Sequence, residues 1–365
     1  MFPPILHSGF GRDSDAAIIF FPIYSITQGL LFVNSGSLLF GALRGANFER
    51  TVNLQAEAQK VLKNPYLCGK IIVEKNRGEK MKISDILASG KRTLSFEVFP
   101  PKTIDKFDSV LSAAEEIAAL SPSFMSVTYG AGGGTSAYTA EIASRLAGFG
   151  VTPLAHLTCI SSTRARVAEL LADLRARGIE NILALRGDIP EGFDRGGAEY
   201  RYASELVEEI RRFGGFCIGG ACYPEGHPES RTIDEDIASL GRKVSAGVGF
   251  LTTQMFFDNG VFYRFAERLA KAGISVPIVA GIMPITSIAQ VDKMIRFSGS
   301  ALPKRLADLI DRYGGDNASM KEAGIHYATE QIRELYSEGF AFAHVYSMNK
   351  PDVAEKIKRN LIDTL

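Results

Sequence analysis

From Leu94 onward, short runs rich in β-branched and aromatic residues return at intervals of roughly 30 residues, separated by segments of helical period. No other feature constrains the fold of this chain as tightly. The runs are Leu94–Phe99, Phe124–Val127, Pro153–Leu157, Asn181–Leu185, Phe216–Ala221, Phe250–Gln254, Val276–Ala280 and Phe340–His344. Between them, Lys106–Leu120 aligns Phe107, Val110, Leu111, Ala114 and Ile117 on one stripe. Thr163–Arg177 does the same with Val167, Leu170, Leu171 and Leu174, and Gly178 follows as a stop. The last interval has room for an extra helix over Ala301–Tyr313 before another over Lys321–Gly339. Strands that alternate with helices pair in parallel, and eight such units close on themselves. The expectation is therefore an α/β chain with a (β/α)8 TIM barrel over residues 81–365. A doubly wound open sheet would want a Gly-rich nucleotide turn after an early strand. Gly130-Ala131-Gly132-Gly133-Gly134 lacks the G-x-G-x-x-G spacing of that turn.

Residues 1–80 read differently. Ala16 to Leu43 carries no Asp, Glu, Lys, Arg or His, and a bilayer needs about 20 apolar residues. Pro22, Gly29, Asn34, Ser35, Gly36 and Ser37 break that run, however, and its flanks lack a positive bias. Asp13 and Asp15 stand where a secretory signal would be basic. Met81 opens a helix-like Met-Lys-Ile-Ser-Asp-Ile-Leu, just after Arg77-Gly78-Glu79, whose codons can resemble a bacterial ribosome-binding site. The reading favoured is that translation begins at Met81 and that residues 1–80 are upstream sequence or a disordered extension. A membrane or partner-binding extension is the alternative.

Lys+Arg and Asp+Glu are both 41, so the chain lacks the basic field that a nucleic-acid partner requires. Cys68, Cys159, Cys217 and Cys222 form no C-x-x-C pair. They are expected to be small buried hydrophobes in a reducing cytoplasm rather than metal ligands.

In a barrel, chemistry gathers at the carboxyl ends of the strands. Strand one brings Glu97 among Phe and Val, where burial would keep it protonated as a general acid requires; a carboxylate paired with a cation is the structural alternative. Strand two ends in Thr128-Tyr129-Gly130-Ala131, small enough for a flat ligand to reach the backbone. Strand three carries His156 near its end, and strand four ends in Arg186-Gly187-Asp188, a phosphate-gripping guanidinium beside a carboxylate. Tyr223-Pro224-Glu225-Gly226-His227-Pro228-Glu229 follows strand five. On the next helix Asp236, Ser239 and Lys243 edge an apolar stripe, with Arg242 farther round; a salt-bridged surface explains Asp236 and Lys243 about as well as a ligand does. Strand six ends at Gln254, an amide suited to a heterocycle. H-E-x-x-H, Walker A and Gly-x-Ser-x-Gly motifs are all missing, so the set fits an enzyme whose cofactor performs the redox step.

These segments resemble the methylenetetrahydrofolate reductase family over nearly all of residues 81–365. The resemblance rests on Ser95-Phe96-Glu97-Val98-Phe99-Pro100-Pro101-Lys102, Ser126-Val127-Thr128-Tyr129-Gly130-Ala131, His156-Leu157-Thr158-Cys159 and Ala184-Leu185-Arg186-Gly187-Asp188. It continues through the Tyr223–Glu229 loop, Thr253-Gln254-Met255-Phe256-Phe257-Asp258 and Gly281-Ile282-Met283-Pro284. It implies FAD at the barrel mouth, reduced by NADH or NADPH in a ping-pong cycle, and conversion of 5,10-methylenetetrahydrofolate to 5-methyltetrahydrofolate for methionine synthesis. Glu97 matches the family's general acid, and Asp188 the carboxylate that contacts folate and stabilises an iminium ion. Thr128, Tyr129, Ala131, His156, Arg186, Gly187, Asp188, Tyr223, His227, Asp236, Ser239, Arg242 and Lys243 match cofactor positions. Gln254, Gln290 and Lys350 match substrate positions. Two of these depart from the pattern: Ser239 stands where relatives can carry Asn, and Lys350 where others carry Arg, so the charge is kept but the bidentate fork is lost. The resemblance also implies a homo-oligomer, and no regulatory domain of the eukaryotic kind. An iron–sulfur partner subunit as electron donor is one alternative. A flavin or folate carrier without turnover is another, which the pairing of Glu97 with Asp188 argues against.

Overall fold

The computed structural model describes residues 81–129, 136–189, 192–193, 195–291 and 302–365, together with three short upstream strands. Those strands, β1 (Ala17–Phe20), β2 (Leu30–Asn34) and β3 (Ser37–Gly41), belong to a unit spanning Met1–Cys68 and form an antiparallel sheet in the order β1-β2-β3. They fall within the uncharged run Ala16–Leu43. No helix among the described residues is long and apolar enough to cross a membrane.

The second unit, Gly69–Leu365, contains the barrel. Its strands are β4 (Thr93–Val98), β5 (Met125–Val127), β6 (Pro153–Thr158), β7 (Asn181–Leu185), β8 (Cys217–Cys222), β9 (Phe250–Thr253), β10 (Ile278–Ile282) and β11 (Phe342–Tyr346). All pair in parallel, and β11 joins β4 to close the ring. The helices are α1 (Ile83–Ala88), α2 (Phe107–Ala119), α3 (Ser136–Gly148), α4 (Arg164–Ala176), α5 (Ala203–Phe213), α6 (Ile233–Ala246), α7 (Asn259–Lys271), α8 (Lys304–Tyr313), α9 (Asn317–Ser337) and α10 (Pro351–Asn360). The expected (β/α)8 barrel is the observed fold, including the extra helix α8 before α9.

Local chemistry explains the boundaries. Thr163 caps α4 by accepting from Arg166 N at 3.1 Å, and Gly178 leaves that helix with φ +74°. Val167, Leu170, Leu171 and Leu174 are its buried face, as their spacing predicts. Two strands begin two residues later than their apolar runs suggest. Pro277 has no N–H and contributes only its carbonyl, to Leu251 N at 2.8 Å, so pairing of β10 starts at Ile278 and runs on through Gly281 and Ile282. Phe340 N is occupied at the close of α9, donating to Leu335 O at 2.9 Å, which delays β11 to Phe342.

One end of the barrel is a hydrophobic floor. Ile83, Ile86 and Leu87 of α1 pack against Phe124, Leu154, Leu183, Cys217, Phe250 and Val279, which arrive from successive strands. Asn181 ties the plug in place: its Oδ1 accepts from Ile83 N at 2.8 Å and its Nδ2 donates to Met81 O at 3.3 Å and Pro153 O at 3.2 Å. Cys159, Cys217 and Cys222 are buried free thiols, as expected of small hydrophobes; Cys68 lies outside the described residues.

Candidate active site

Above the apolar floor the barrel interior turns polar. Glu97 on β4 pairs in register with Ser126 on β5 and with Tyr346 on β11, while Ser95, two residues earlier, pairs with His344. In a strand, positions i and i+2 share a face, so Ser95 and Glu97 point into the same interior. The side chains meet there. Glu97 Oε2 lies 3.4 Å from Ser126 Oγ and 3.6 Å from His156 Nε2. Ser126 Oγ is 2.9 Å from His344 Nε2, and His344 Nδ1 is 2.8 Å from Ser95 Oγ.

No cation sits against Glu97 among the described residues. Its side chain is 18% exposed, and burial lifts its pKa to about 8, partly offset by the Ser126 hydroxyl. Of the two readings of Glu97 open from sequence, a cation-paired carboxylate and a buried neutral acid, the geometry matches the second. Burial also holds His156 and His344 neutral, each pushed down to about 3. His156 is 7% exposed, and its Nε2 has no hydrogen-bond partner among the described residues. A buried polar atom left without a partner costs free energy unless a ligand or water supplies one.

A second cluster lines the mouth after β7 and β8. Arg186 forms a two-pronged ion pair with Glu229 at 2.6 and 2.8 Å. Gly187 has φ +87°, and a Cβ there would stand 3.0 Å from Thr158 Cβ, so this turn between Arg186 and Asp188 requires glycine. Tyr223 and His227 meet edge to face at 4.7 Å, and Asp236 accepts from His227 N at 3.2 Å. His227 Nδ1 accepts from Glu229 N at 3.1 Å, which puts the ring proton on Nε2. Lys243 donates to Ala221 O at 2.6 Å, and burial lowers its pKa, an effect that Cys222 and Asp236 oppose. Burial raises the Tyr223 hydroxyl, which also feels Asp188. Arg186, Asp188, Tyr223, His227, Asp236 and Lys243 therefore form one cluster.

Ser239 and Arg242 turn away from it. Ser239 Oγ donates to Glu235 O at 2.9 Å. Arg242 donates to Ser239 Oγ at 2.7 Å and lines a groove with Ser204, Glu208, Arg211 and Arg212 between α5 and α6. Thr128 continues the barrel pairing through its N–H to Val98 O at 3.0 Å, and Tyr129 packs on the core; Ala131 lies outside the described residues.

Opposite this cluster, Gln290 and Lys350 are joined by a residue that sequence reasoning passed over. Lys350 Nζ donates to Thr286 Oγ1 at 2.7 Å, and Thr286 donates to Gln290 Oε1 through both its hydroxyl (3.0 Å) and its backbone N–H (3.1 Å). Gln254 folds its Oε1 onto Met255 N at 3.0 Å, leaving its amide nitrogen as the donor for recognition. Asn349, also missed, exchanges two hydrogen bonds with the Phe99 backbone (2.9 and 2.8 Å) and so fixes the loop after Glu97. Met348 and Asn349, both at positive φ, were the available signal only in retrospect: Asn tolerates that region, but the partner strand is invisible in one dimension.

The donor set fits a large flat ligand with an anionic tail. Tyrosine rings suit the flat part, Arg186 and Lys243 the anion, and His156 Nε2 a polar edge.

Comparison with known proteins gives a consistent result. The family model described as methylenetetrahydrofolate reductase matches residues 82–362. A 5,10-methylenetetrahydrofolate reductase of Pectobacterium carotovorum subsp. carotovorum is 33% identical over 287 residues, covering 78% of this chain and 95% of the relative. That of Escherichia coli (strain K12) is 34% identical over 273 residues, covering 74% and 91%. A methylenetetrahydrofolate reductase (NADH) of Arabidopsis thaliana is 35% identical, covering 77% of this chain but 50% of its own length, so the chain spans about half of that plant relative. Among solved structures, an uncharacterized protein from Clostridium thermocellum that binds two copies of 5-methyl-5,6,7,8-tetrahydrofolic acid shares the fold, with TM-score 0.54 and 12% identity, covering 77% of this chain and 100% of that one.

Proposed function

Because this chain belongs to the methylenetetrahydrofolate reductase family, we propose that it reduces 5,10-methylenetetrahydrofolate to 5-methyltetrahydrofolate, with FAD at the barrel mouth and NADH or NADPH as electron source. The observation that carries this reading is Glu97: a largely buried carboxyl, its pKa raised to about 8 by burial, with no cation beside it among the described residues. Mere binding of a flavin or folate does not need such a group. Proton delivery does.

FAD supplies hydride transfer when bound; the chain supplies grip, orientation and a proton. Arg186, Lys243 and the Gly187 turn would hold the cofactor, with Tyr129, Tyr223, His227 and Asp236 around it, and His156 Nε2 would meet a polar edge. Glu97 gives its proton to the folate nitrogen whose bond to the bridging carbon breaks. Asp188 faces the positive charge that develops on the folate. Gln254, Gln290 and Lys350 orient the folate.

An anaerobic titration of the purified protein tests this reading. Its visible flavin absorption is expected to be bleached by NADH and restored by methylenetetrahydrofolate. Flavin that NADH leaves coloured would shift the electron source to an iron–sulfur partner subunit. Failure to bind flavin after incubation with FAD would overturn the proposal.

Thr286 gives a finer test. Thr286→Val keeps the shape of the side chain but removes the hydroxyl between Lys350 and Gln290. It is expected to raise the folate KM about tenfold, the worth of roughly one hydrogen bond, with kcat within about twofold because only binding is disturbed. A fall in kcat at unchanged KM would remove Thr286 from substrate positioning.

A further inference from the structure

Behind Glu97 runs a file of polar side chains, Ser126, His344 and Ser95, whose direction is set by the tautomer of His344. Ser95 Oγ lies 3.0 Å from the Ala343 carbonyl and donates to it in the tautomer that carries the His344 proton on Nδ1. Ser95 oxygen then accepts from His344 Nδ1–H at 2.8 Å. A neutral imidazole with its proton on Nδ1 has a bare Nε2, and that nitrogen accepts from Ser126 Oγ–H at 2.9 Å. With the His344 proton on Nδ1, the one hydroxyl proton of Ser126 is committed to His344 and the serine turns lone pairs toward Glu97 Oε2, 3.4 Å away; with it on Nε2, Ser126 would instead donate to Glu97. Lone pairs welcome a carboxylic acid O–H and repel a carboxylate.

Resting on the reading of Glu97 as the proton donor, we propose that Ser126, His344 and Ser95 are positioning residues whose one-way hydrogen-bond file, anchored on the Ala343 carbonyl, keeps Glu97 in its acid form. Once the Glu97 proton has gone to the ligand, the carboxylate left behind is stabilised by rotation of the Ser126 hydroxyl toward it. That rotation breaks the bond to His344, so the file favours return of a proton to Glu97. Ser126 itself releases no proton.

The titratable groups that face Glu97 are His156 from β6 and His344 and Tyr346 from β11. Burial keeps both histidines uncharged near neutral pH and raises the Tyr346 hydroxyl well above its ordinary value. None of them supplies a charge that would hold the carboxylate. The ring of His344 stacks on Phe124 at 5.5 Å and 11°, so a phenyl ring can take its place.

Two variants test the file: His344→Phe, which removes the acceptor for Ser126, and Ser95→Ala, which removes the lock on the His344 tautomer. In either, the Ser126 proton becomes free to serve the carboxylate. The readout is the titration of the Glu97 carboxyl in the full chain, followed by carbon-13 NMR of protein labelled at the glutamate carboxyl carbon and assigned by the signal lost in Glu97→Gln. Both variants are expected to lower the Glu97 midpoint, His344→Phe by about one pH unit, a tenfold fall in proton affinity that matches one hydrogen bond to a carboxylate. Midpoints within about 0.3 units of wild type in a folded variant overturn the proposal, even if activity falls; Ser95→Ala decides alone if His344→Phe does not fold. Since the titration needs no turnover, a shifted midpoint in a protein without folate activity would sink the proposed reaction and leave the file intact.

Discussion

Glu97→Gln is expected to bind FAD and accept hydride from NADH as the wild type does, while its reduction of methylenetetrahydrofolate falls by about 10²–10⁴-fold, the usual worth of a positioned proton donor. Glutamine keeps the shape and the neutral polarity of the acid but has no transferable proton at that position. Rapid-mixing measurement of the two half-reactions separates these effects. Equal loss in both would assign Glu97 to flavin binding rather than proton delivery. The same substitution should stabilise the fold. Between about pH 4.5 and 8, folded Glu97 holds a proton that the unfolded chain has released. Stability is therefore lost as pH rises through that window, and the variant is spared the loss. The gain should be near zero at pH 4.5 and reach up to about 3 kcal/mol at pH 7. Denaturant midpoints of the apoprotein at those two pH values would reveal it.

The second large effect is expected at Gly281. Its N–H donates to Thr253 Oγ1 at 2.8 Å, and the strand passes so close to β9 and β11 that a Cβ would overlap the Thr253 carbonyl oxygen and the hydroxyl of Tyr346. The carbonyl belongs to the barrel wall and cannot retreat, and Tyr346 is held by its hydrogen bond to that same oxygen. Gly281→Ala should therefore cost about 3 kcal/mol, at the upper end of overpacking. It should also move Tyr346 from its place beside Glu97. Gly148→Ala is the control: a Cβ there meets nothing within 4 Å, and on α3 it should be neutral or slightly stabilising. Thermal unfolding of the two variants gives the comparison; a Gly281→Ala protein as stable as wild type would mean that the barrel wall yields.

Periodicity made the barrel legible, because each strand and each helix writes its buried face into local spacing. Glu97 was legible for a related reason: an acid between Phe96 and Val98 violates the pattern of its own strand. What stayed hidden depends on register. Ser126 and His344 look like ordinary members of apolar runs until the pairings Glu97 with Ser126 and Ser95 with His344 are known; a shift of one residue would send every such side chain to the other face. Thr286 and Asn349 lie in loops after β10 and β11, where no period exists to read. Arg242 shows the limit of motif matching. It adjoins Lys243 in sequence, but a helix turns by about 100° per residue, which carries Arg242 to an outer groove while Lys243 stays buried.

The apolar floor laid by α1 has a consequence for isotope exchange. With Ile83, Ile86 and Leu87 closing one end, the barrel is a vessel with a single opening. If a ligand stacks over the mouth as proposed, the hydrogens on Glu97, Ser126, His344 and Ser95 would be cut off from bulk water for as long as it stays. On the proposed reaction, the proton used in a turnover would be the one loaded before the ligand arrived, and a ligand complex formed in deuterium oxide should carry its deuteron into the first catalytic event after transfer to ordinary water.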